Sequence, residues 1–323
     1  MKFAGQRRSF EEDWRIHSDS SEWWYSTGYG RDAETNKLFS FQFSLIRVTM
    51  PKLPIHPYIV QIALTDFETK EHLYVQETAL LPWQVKVSDT ELRYKDMLKV
   101  TKEAEGIRFA AKTEQFNFEV FMDYGKGPFW HCDNGLLQMG LKEPKQVTYY
   151  YSYTNMPCRG TINCKGKQYK VEGKSWFDKQ GGTYELDNPK CMWEWFSLRF
   201  YDNEEMMLFT FPQHPYSDGT YIKSDCTSER LNNYQMEALD FVKPDGKTVY
   251  STEWKLTVPG KKEEVYYIRQ LMEGVMLNVG YYELLAGIYN EAGEEVGMCF
   301  VELLPGARNQ TMPEMTLFKK SGK

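Results

Sequence analysis

The 323-residue sequence shows no pattern typical of a secretory signal or a transmembrane segment. Its opening residues, MKFAGQRRSF EEDW, contain no apolar h-region, and no run of 18 apolar residues occurs anywhere. We therefore expect neither a secretory signal nor a transmembrane segment, and we expect a soluble, cytoplasmic protein.

Motifs for metal binding, nucleotide binding and covalent catalysis are also missing. The six cysteines form no CxxC pair and the five histidines have no HExxH or HxH spacing, so we expect free thiols and no metal site. The chain has no P-loop, dinucleotide fingerprint or nucleophile elbow. These absences argue against nucleotide, nicotinamide and hydrolase chemistry.

The chain lacks a strong excess of positive charge. The net charge is −6, and no basic stripe is present to match a phosphate backbone. A nucleic-acid partner is therefore not expected. Nothing in the sequence indicates an oligomeric state.

Aromatic residues are abundant, at 15% of the chain, and the dominant apolar period is two. Phe39, Phe41, Phe43 and Leu45 alternate with polar residues, as in a strand with one apolar face. Short runs of this kind, separated by turn signals such as Asp245-Gly246, predict an all-β fold of the sandwich or barrel type. Only residues 229–241 and 311–319 have a pattern that suits a short helix.

The segment GGTYELDNP, residues 181–189, reads as a domain junction because it combines glycines, a proline and acids between two aromatic-rich strands. We therefore predict an N-terminal β-domain over residues 1–185 and a C-terminal β-barrel domain over residues 186–323.

The first cluster that suggests a site is Glu22-Trp23-Trp24-Tyr25. In a strand, Glu22 and Trp24 point one way and Trp23 and Tyr25 the other, so these aromatics cannot all face one core. The cluster predicts either a strand buried on both faces or the floor of a binding pocket with an acid beside it.

The second cluster is Trp176-Phe177-Asp178-Lys179. Alternation places Trp176 and Asp178 on one face, where a desolvated carboxyl would have a raised pKa and could act as an acid. A structural salt-bridged pair is the alternative.

The third cluster is Trp193-Glu194-Trp195. Alternation aligns Glu194 with an apolar row, which is costly unless the carboxyl is paired or protonated. Glu194 is therefore either a perturbed functional acid or a strand-end residue that reaches solvent.

Weaker candidates for a pocket lining are Tyr150, His131 and the pair Tyr282 and Glu283. Each is also ordinary in an aromatic-rich β protein.

Several segments, in order along nearly the whole chain, resemble the carotenoid 1,2-hydratase and AttH-like, lipocalin-like family. They are EWWYSTGYGRD (22–32), YIVQIALTDFETKEHLYVQE (58–77), VTYYYS (147–152), GKSWFDKQGG (173–182), WEWFSLRF (193–200), EEMMLF (204–209), YYELLAG (281–287) and GMCFVEL (297–303). The resemblance implies two lipocalin-like antiparallel β-domains, a ligand cavity at or near their interface, and no cofactor. The family includes carotenoid hydratases, a fungal isoflavonoid hydratase and, more distantly, fungal Diels–Alder cyclases.

Carried over by position, the resemblance implies that Asp178, Lys179 and Glu194 are catalytic. The residues expected to line the substrate site are Glu22, Trp23, Trp24, Tyr25, His131, Tyr150, Trp176, Trp193, Trp195, Tyr282 and Glu283. The match departs from the family pattern at the proposed chemistry. Lys179 stands where the hydratases commonly have His, Gly181 where Trp is usual, and Glu194 where Asp is usual. Leu304-Pro305-Gly306 also replaces the terminal Thr-Gly-Tyr.

These observations favour a cofactor-independent lyase or isomerase that acts by acid–base chemistry on an apolar small molecule such as an isoprenoid, steroid or polyphenol. Asp178 or Glu194 would be the acid or base, and the tryptophans would be the walls of the site. Lys179 is better suited to polarising a carbonyl, which favours an enone over a bare polyene. A non-catalytic lipid-binding protein and a substrate-folding cyclase remain the alternatives.

Overall fold

The computed structural model describes residues 8–17, 21–49, 56–139, 147–183, 189–214, 216–261, 263–277 and 280–309. They form two compact units: the first contains the described residues up to 130 together with 150–182, and the second contains those of 131–149 and 183–309. The predicted boundary between residues 185 and 186 lies outside the described residues and stays a prediction. So does the predicted helix at residues 311–319.

The secondary structure is dominated by strands. In chain order the first half has helix α1 (Phe10–Trp14) and strands β1 (Ser21–Asp32), β2 (Leu38–Arg47), β3 (Tyr58–Asp66), β4 (Glu71–Ala79), β5 (Val85–Val87), β6 (Glu91–Tyr94), β7 (Leu98–Lys102), β8 (Gly106–Lys112), β9 (Phe116–Asp123), β10 (Pro128–Trp130), β11 (Leu136–Gln138), β12 (Val147–Cys164) and β13 (Lys167–Thr183). The second half has β14 (Glu194–Phe200), β15 (Glu205–Phe211), β16 (Tyr216–Ile222), β17 (Ser228–Arg230), β18 (Gln235–Val242), β19 (Tyr250–Thr257), β20 (Val265–Gln270), β21 (Val275–Met276), β22 (Tyr282–Tyr289) and β23 (Glu295–Leu303). Short 3₁₀ turns occupy Pro82–Gln84 and Pro189–Cys191.

The first unit is built on one curled sheet with the strand order β4-β3-β2-β1-β13-β12-β9-β8-β7-β6-β5, and β10 also pairs with β12. β11 pairs with residues 147–149 of β12, which belong with it to the second unit. Its core is aromatic because the alternating phenylalanines of β2 point to one face. Phe43 packs against Phe109 with ring centroids 4.6 Å apart, and Phe109 packs against Phe118 at 4.7 Å.

The second unit is built on a curled antiparallel sheet with the order β17-β16-β15-β14-β23-β22-β20-β19-β18, and β21 pairs with β22. Phe196 and Trp254 meet edge to face in its core, with centroids 5.2 Å apart. Two curled sheets and almost no helix confirm the predicted all-β class.

The helix predicted at residues 229–241 is wrong, because this segment contains β17 and most of β18. The pairing of β18 with β19 slips between Ala238 and Phe241, and such a bulge breaks the period of two. Much of β18 is also exposed, so its sequence has no clear apolar face.

The prediction also missed α1. Ser9 caps this helix, since its side chain accepts from the Glu12 main chain while the Glu12 side chain accepts from the Ser9 N–H. The Ser-x-x-Glu spacing of residues 9–12 is the signal that would have identified it.

Candidate functional site

Pairing between two distant strands brings the first two sequence clusters together. Strands β1 and β13 run antiparallel, with Trp24 opposite Lys179 and Tyr25 opposite Asp178. Because successive residues of a strand point to opposite faces, the pairing divides these clusters between two faces. We call the face that carries Trp24 and the aromatic core the core face, and the face that carries Tyr25 and Asp178 the polar face.

On the core face, Glu22 and Lys179 form a buried ion pair. Lys179 Nζ lies 2.5 Å from Glu22 Oε2 and 4.2 Å from the centroid of the Trp24 ring. The main-chain N–H of His17 donates to Glu22 Oε1 at 2.7 Å, and His17 Nδ1 lies 3.0 Å from Oε2. Arg47 Nη1 is 3.7 Å from Glu22 Oε1. The carboxylate is therefore surrounded by hydrogen-bond donors and positive charge.

This environment keeps Glu22 ionised. Burial alone would raise the pKa of Glu22, but the charge of Lys179 and the hydrogen bonds from His17 and Lys179 outweigh burial and lower the pKa to about 2. A carboxyl with so low a pKa is almost never protonated near neutral pH and is a poor proton donor. The geometry suits a structural ion pair better than an acid catalyst.

Asp178, on the polar face, accepts hydrogen bonds from two neutral side chains. Trp176 Nε1 donates to Asp178 Oδ1 at 2.6 Å, and the Ser152 hydroxyl donates to the same oxygen. All three side chains are buried. Two donors on one oxygen fix the orientation of the carboxyl group and stabilise negative charge on it. Whether Asp178 exchanges a proton with a bound molecule stays a prediction.

A row of polar side chains crosses the polar face at the level of Asp178. Tyr25 pairs with Ser44, Ser44 with Gln61, and Gln61 with Gln76, on four successive strands. All of them are buried, and Gln61 Nε2 donates to Gln76 Oε1 at 2.9 Å. Buried polar groups need hydrogen-bond partners, so a row of them is a costly way to build a core and suits a binding surface.

Glu194, in the second unit, is a buried and well-satisfied carboxylate. Arg308 donates to both of its oxygens, at 2.8 and 3.0 Å, Ser251 Oγ donates at 2.7 Å, and Trp254 Nε1 donates at 3.1 Å. The sequence placed Glu194 in an apolar row, where it would be costly unless paired. Arg308 supplies that pairing, so Glu194 is anchored in the core of the second unit.

Three further candidates of the second unit lie near Glu302. Trp193 Nε1 donates to Glu302 Oε1 at 3.0 Å, and both Trp195 and Glu283 are cross-strand partners of Glu302. Trp193, Trp195 and Glu283 are buried. With Glu302 they form an aromatic and acidic group on β14, β22, β23 and the residue that precedes β14.

Tyr282 and His131 are the remaining candidates of the second unit. Tyr282 stacks on Tyr250 with centroids 4.9 Å apart and belongs to the core. His131 is fully buried, and burial lowers its pKa to about 3, so the ring is neutral at physiological pH.

The predicted site residues thus form three groups. The core face of the first unit has Glu22, Trp24 and Lys179, its polar face has Trp23, Tyr25, Tyr150, Trp176 and Asp178, and the second unit has His131, Trp193, Glu194, Trp195, Tyr282 and Glu283. The predicted catalytic residues Asp178 and Lys179 are therefore not brought together, because they point to opposite faces of β13. The argument for an enone, which relied on Lys179 beside Asp178, loses its geometric basis. Whether any of these residues is catalytic stays a prediction.

Sequence reasoning missed Ser152, Gln61, Gln76 and Arg308. The alternation in β2 predicted a strand with one apolar face, but it gave no information on whether the polar side is buried. Ser152 lies on β12 and meets Asp178 only through the pairing of β12 with β13, which no local pattern reveals.

No three His, Cys, Asp or Glu side chains within the described ranges are grouped so that they could hold a metal ion. Those same ranges contain no helix of the length and apolarity needed to cross a membrane.

Comparison with known structures gives the same fold. An AttH protein from Nitrosomonas europaea is 20% identical, with a TM-score of 0.82 over 94% of this chain and 98% of that one. Kievitone hydratase from Nectria haematococca is 14% identical, with a TM-score of 0.74 over 92% of each chain. CghA with Sch210972 is 8% identical, with a TM-score of 0.51 over 90% of each chain.

No curated protein sequence matches the chain. The model of the AttH-like family, however, matches residues 3–306, nearly the whole length. The resemblance seen in the sequence is thereby confirmed, and the chain belongs to the AttH-like family.

Proposed function

We propose that this protein is a cofactor-independent lyase or isomerase of the hydratase type, with Asp178 as the residue that transfers a proton to an apolar small molecule. The observation that carries the proposal is the pair of donors on one oxygen of the buried Asp178 carboxyl group, Trp176 Nε1 and the Ser152 hydroxyl. These hydrogen bonds fix the orientation of the carboxyl group, as proton transfer to a bound molecule requires. Glu22 and Glu194 are weaker candidates, because each contacts a cation that favours its ionised form.

In this mechanism Asp178 begins as the neutral acid, with the transferable proton on Oδ2. The π electrons of a substrate double bond take that proton to form a C–H bond, which leaves a carbocation on the substrate and a carboxylate on Asp178. The hydrogen bonds from Trp176 and Ser152 strengthen as Oδ1 gains charge, and each is worth about 1.5–3 kcal/mol to the charged form. They therefore favour the state that follows proton transfer.

The carbocation then has two outcomes. A water molecule can add to it and lose a proton to Asp178, which completes hydration. Alternatively, Asp178 can remove a proton from a neighbouring carbon, which completes isomerisation. The rings of Tyr25 and Trp176 share the face of Asp178 and would stabilise the cation, by roughly 1–2 kcal/mol for each desolvated ring that it meets.

The family and its structural relatives support this type of reaction. One solved protein with the fold is named as a hydratase, of kievitone. That name supports a hydratase-type lyase and a small-molecule substrate for the present chain. We propose that the substrate is an isoprenoid, a steroid or a polyphenol.

The test begins with the apolar compounds that co-purify with the protein, which are extracted and identified by mass spectrometry. The identified compound is then incubated with the protein in D₂O. We expect one deuterium to enter a carbon–hydrogen bond of the product, since the proton of Asp178 exchanges with solvent. A compound that binds tightly without any turnover would support the carrier alternative. Conversion without deuterium incorporation would support the substrate-folding cyclase.

A further inference from the structure

Four buried polar atoms on the polar face have no hydrogen-bond partner among the described residues. They are Thr27 Oγ1, Gln42 Nε2, Gln61 Oε1 and Gln76 Nε2. Each side chain is nearly inaccessible, with at most 3% of its surface exposed. A buried donor or acceptor that loses water and gains nothing destabilises the fold. Four of them on one sheet face indicate that something else supplies their partners.

The four atoms lie close to one another on adjacent strands. Thr27 of β1 is the cross-strand partner of Gln42 of β2, and Gln61 of β3 is the partner of Gln76 of β4. Gln61 is also the partner of Ser44, which is two residues from Gln42 on the same face. Since neighbouring strands are about 4.8 Å apart, one small molecule can reach all four.

The chemistry that this group requires is specific. Gln42 and Gln76 offer amide N–H donors, Gln61 offers a carbonyl acceptor, and the Thr27 hydroxyl can act in either role. If the side-chain amides of Gln61 and Gln76 were both turned by 180°, they would still have one donor and one acceptor without a partner. A hydrocarbon satisfies none of these atoms, whereas hydroxyl and carbonyl oxygens satisfy all of them.

Distance from Asp178 sets the size of the ligand. Asp178 is on β13, two strands from Gln42 and three from Gln61. These separations correspond to about 10 and 14 Å across the sheet. A ligand that reacts at Asp178 and meets the glutamines must carry oxygen groups at that distance along a rigid, largely apolar frame. Linked or fused aromatic rings with hydroxyl substituents fit this description.

We infer that the polar face recognises a polyphenol through Thr27, Gln42, Gln61 and Gln76, with these residues setting specificity at the end of the ligand remote from Asp178. The inference rests on the proposed function where it places the reacting group at Asp178. The recognition of oxygen substituents does not depend on the reaction.

The test compares the binding of two probes, a trihydroxyflavone and the unsubstituted flavone, by isothermal titration calorimetry. Gln42→Met and Gln61→Met remove the amide at nearly constant volume, and Gln235→Met makes the same change at an exposed position as the matched control. We expect the wild type to bind the hydroxylated probe at least about tenfold more tightly than flavone. Each of the first two variants should lose about fivefold to tenfold of that preference, and the control should lose none.

Thermal unfolding without ligand separates recognition from a structural role. Gln42→Met removes an unpartnered buried nitrogen, so its melting temperature should stay the same or rise. Gln61→Met also removes the hydrogen bond to Gln76 Oε1, so its melting temperature should fall slightly. A lower melting temperature of Gln42→Met with an unchanged preference would mean that ordered water satisfies the amide, and would overturn the inference. Equal affinity of the wild type for both probes, or no binding of either, would overturn it too.

Failure of the proposed function is recognised separately with Asp178→Asn. If that variant still converts the co-purifying compound, the assignment of the acid fails, yet a preference that depends on Gln42 and Gln61 supports polyphenol recognition. If Asp178→Asn abolishes turnover while Gln42→Met and Gln61→Met leave the preference intact, the recognition inference fails and the acid assignment stands.

Discussion

Replacing Glu22 by Gln should change the way in which stability depends on pH. Glu22 has a folded pKa of about 2 against an ordinary value of 4.5, because Lys179 and His17 stabilise its charge more than burial opposes it. A depressed carboxyl pKa contributes stability that is fully present above the unfolded pKa and is lost as the pH falls toward the folded pKa. The window for this group therefore runs from about pH 5 down to about pH 2.

The magnitude follows from the two pKa values. The full difference of 2.5 units between 4.5 and about 2 corresponds to about 3 kcal/mol. Between pH 6.5 and pH 3.5 this group should lose about 1.4 kcal/mol of its contribution to the free energy of unfolding. Folded Glu22 stays ionised at pH 3.5, so the loss depends only on protonation of the unfolded chain, with its pKa of 4.5. Glu22→Gln has no titrating group there and leaves the buried Lys179 without its anionic partner. It should be about 3–5 kcal/mol less stable than wild type at pH 6.5.

The assay is urea unfolding of wild type and Glu22→Gln at both pH values. The stability difference between the two proteins should shrink by about 1.4 kcal/mol at pH 3.5. Glu253→Gln, which breaks a partly exposed ion pair with Arg269, is the control and should cost less than about 1 kcal/mol. A wild-type-to-Glu22→Gln difference that is the same at both pH values would refute the reasoning.

Three further changes have distinct expected outcomes. Glu194→Gln leaves the Arg308 guanidinium without its anionic partner and should cost about 2–4 kcal/mol in urea unfolding, but the folded protein should keep its turnover rate; a rate loss at full folding would restore Glu194 as a catalytic candidate. Gly173→Ala would place a methyl group 1.9 Å from the Tyr29 carbonyl oxygen and should lower the free energy of unfolding by about 3 kcal/mol. Gly166→Ala has no atom within 4 Å but a φ of +74°, and should lower it by about 1 kcal/mol. Equal unfolding midpoints of the two variants would contradict the close approach of β1 and β13. Trp176→Phe keeps an aromatic ring but loses the N–H that donates to Asp178, so kcat should fall about tenfold with a small change in stability; an unchanged kcat would show that this hydrogen bond does not support catalysis.

The class of fold could be predicted from the sequence because period-two patterning is local. The run from Phe39 to Leu45 reports a strand with one apolar face without any knowledge of its neighbours. The prediction failed at residues 229–241, where a bulge and exposure on an edge strand removed that pattern. Family motifs then identified the lipocalin-like arrangement that periodicity alone left open.

The site was less predictable because it depends on register. Alternation correctly put Trp176 and Asp178 on one face, and the same rule separates Lys179 from Asp178. The sequence does not show which residues form ion pairs when they are far apart along the chain. Lys179 pairs with Glu22, and Glu194 pairs with Arg308, in each case over more than a hundred residues. Lys179 is therefore a partner of Glu22 and not of its sequence neighbour Asp178.

The burial of the polar face was equally invisible. Gln42, Gln61 and Gln76 alternate with core residues as the solvated side of a strand would, and only the three-dimensional structure identifies them as buried. A polar residue in an alternating strand pattern can therefore mark either a solvated face or a binding face.

The proposal that Asp178 is the proton donor is tested most directly by turnover of the co-purifying compound by Asp178→Asn. The asparagine can still accept the hydrogen bonds of Trp176 and Ser152 at Oδ1, so the fold and the affinity for ligand should change little. We predict a fall in kcat of at least about a hundredfold, with Glu194→Gln retaining the wild-type rate. A wild-type kcat for Asp178→Asn would contradict the proposed acid–base role of this residue.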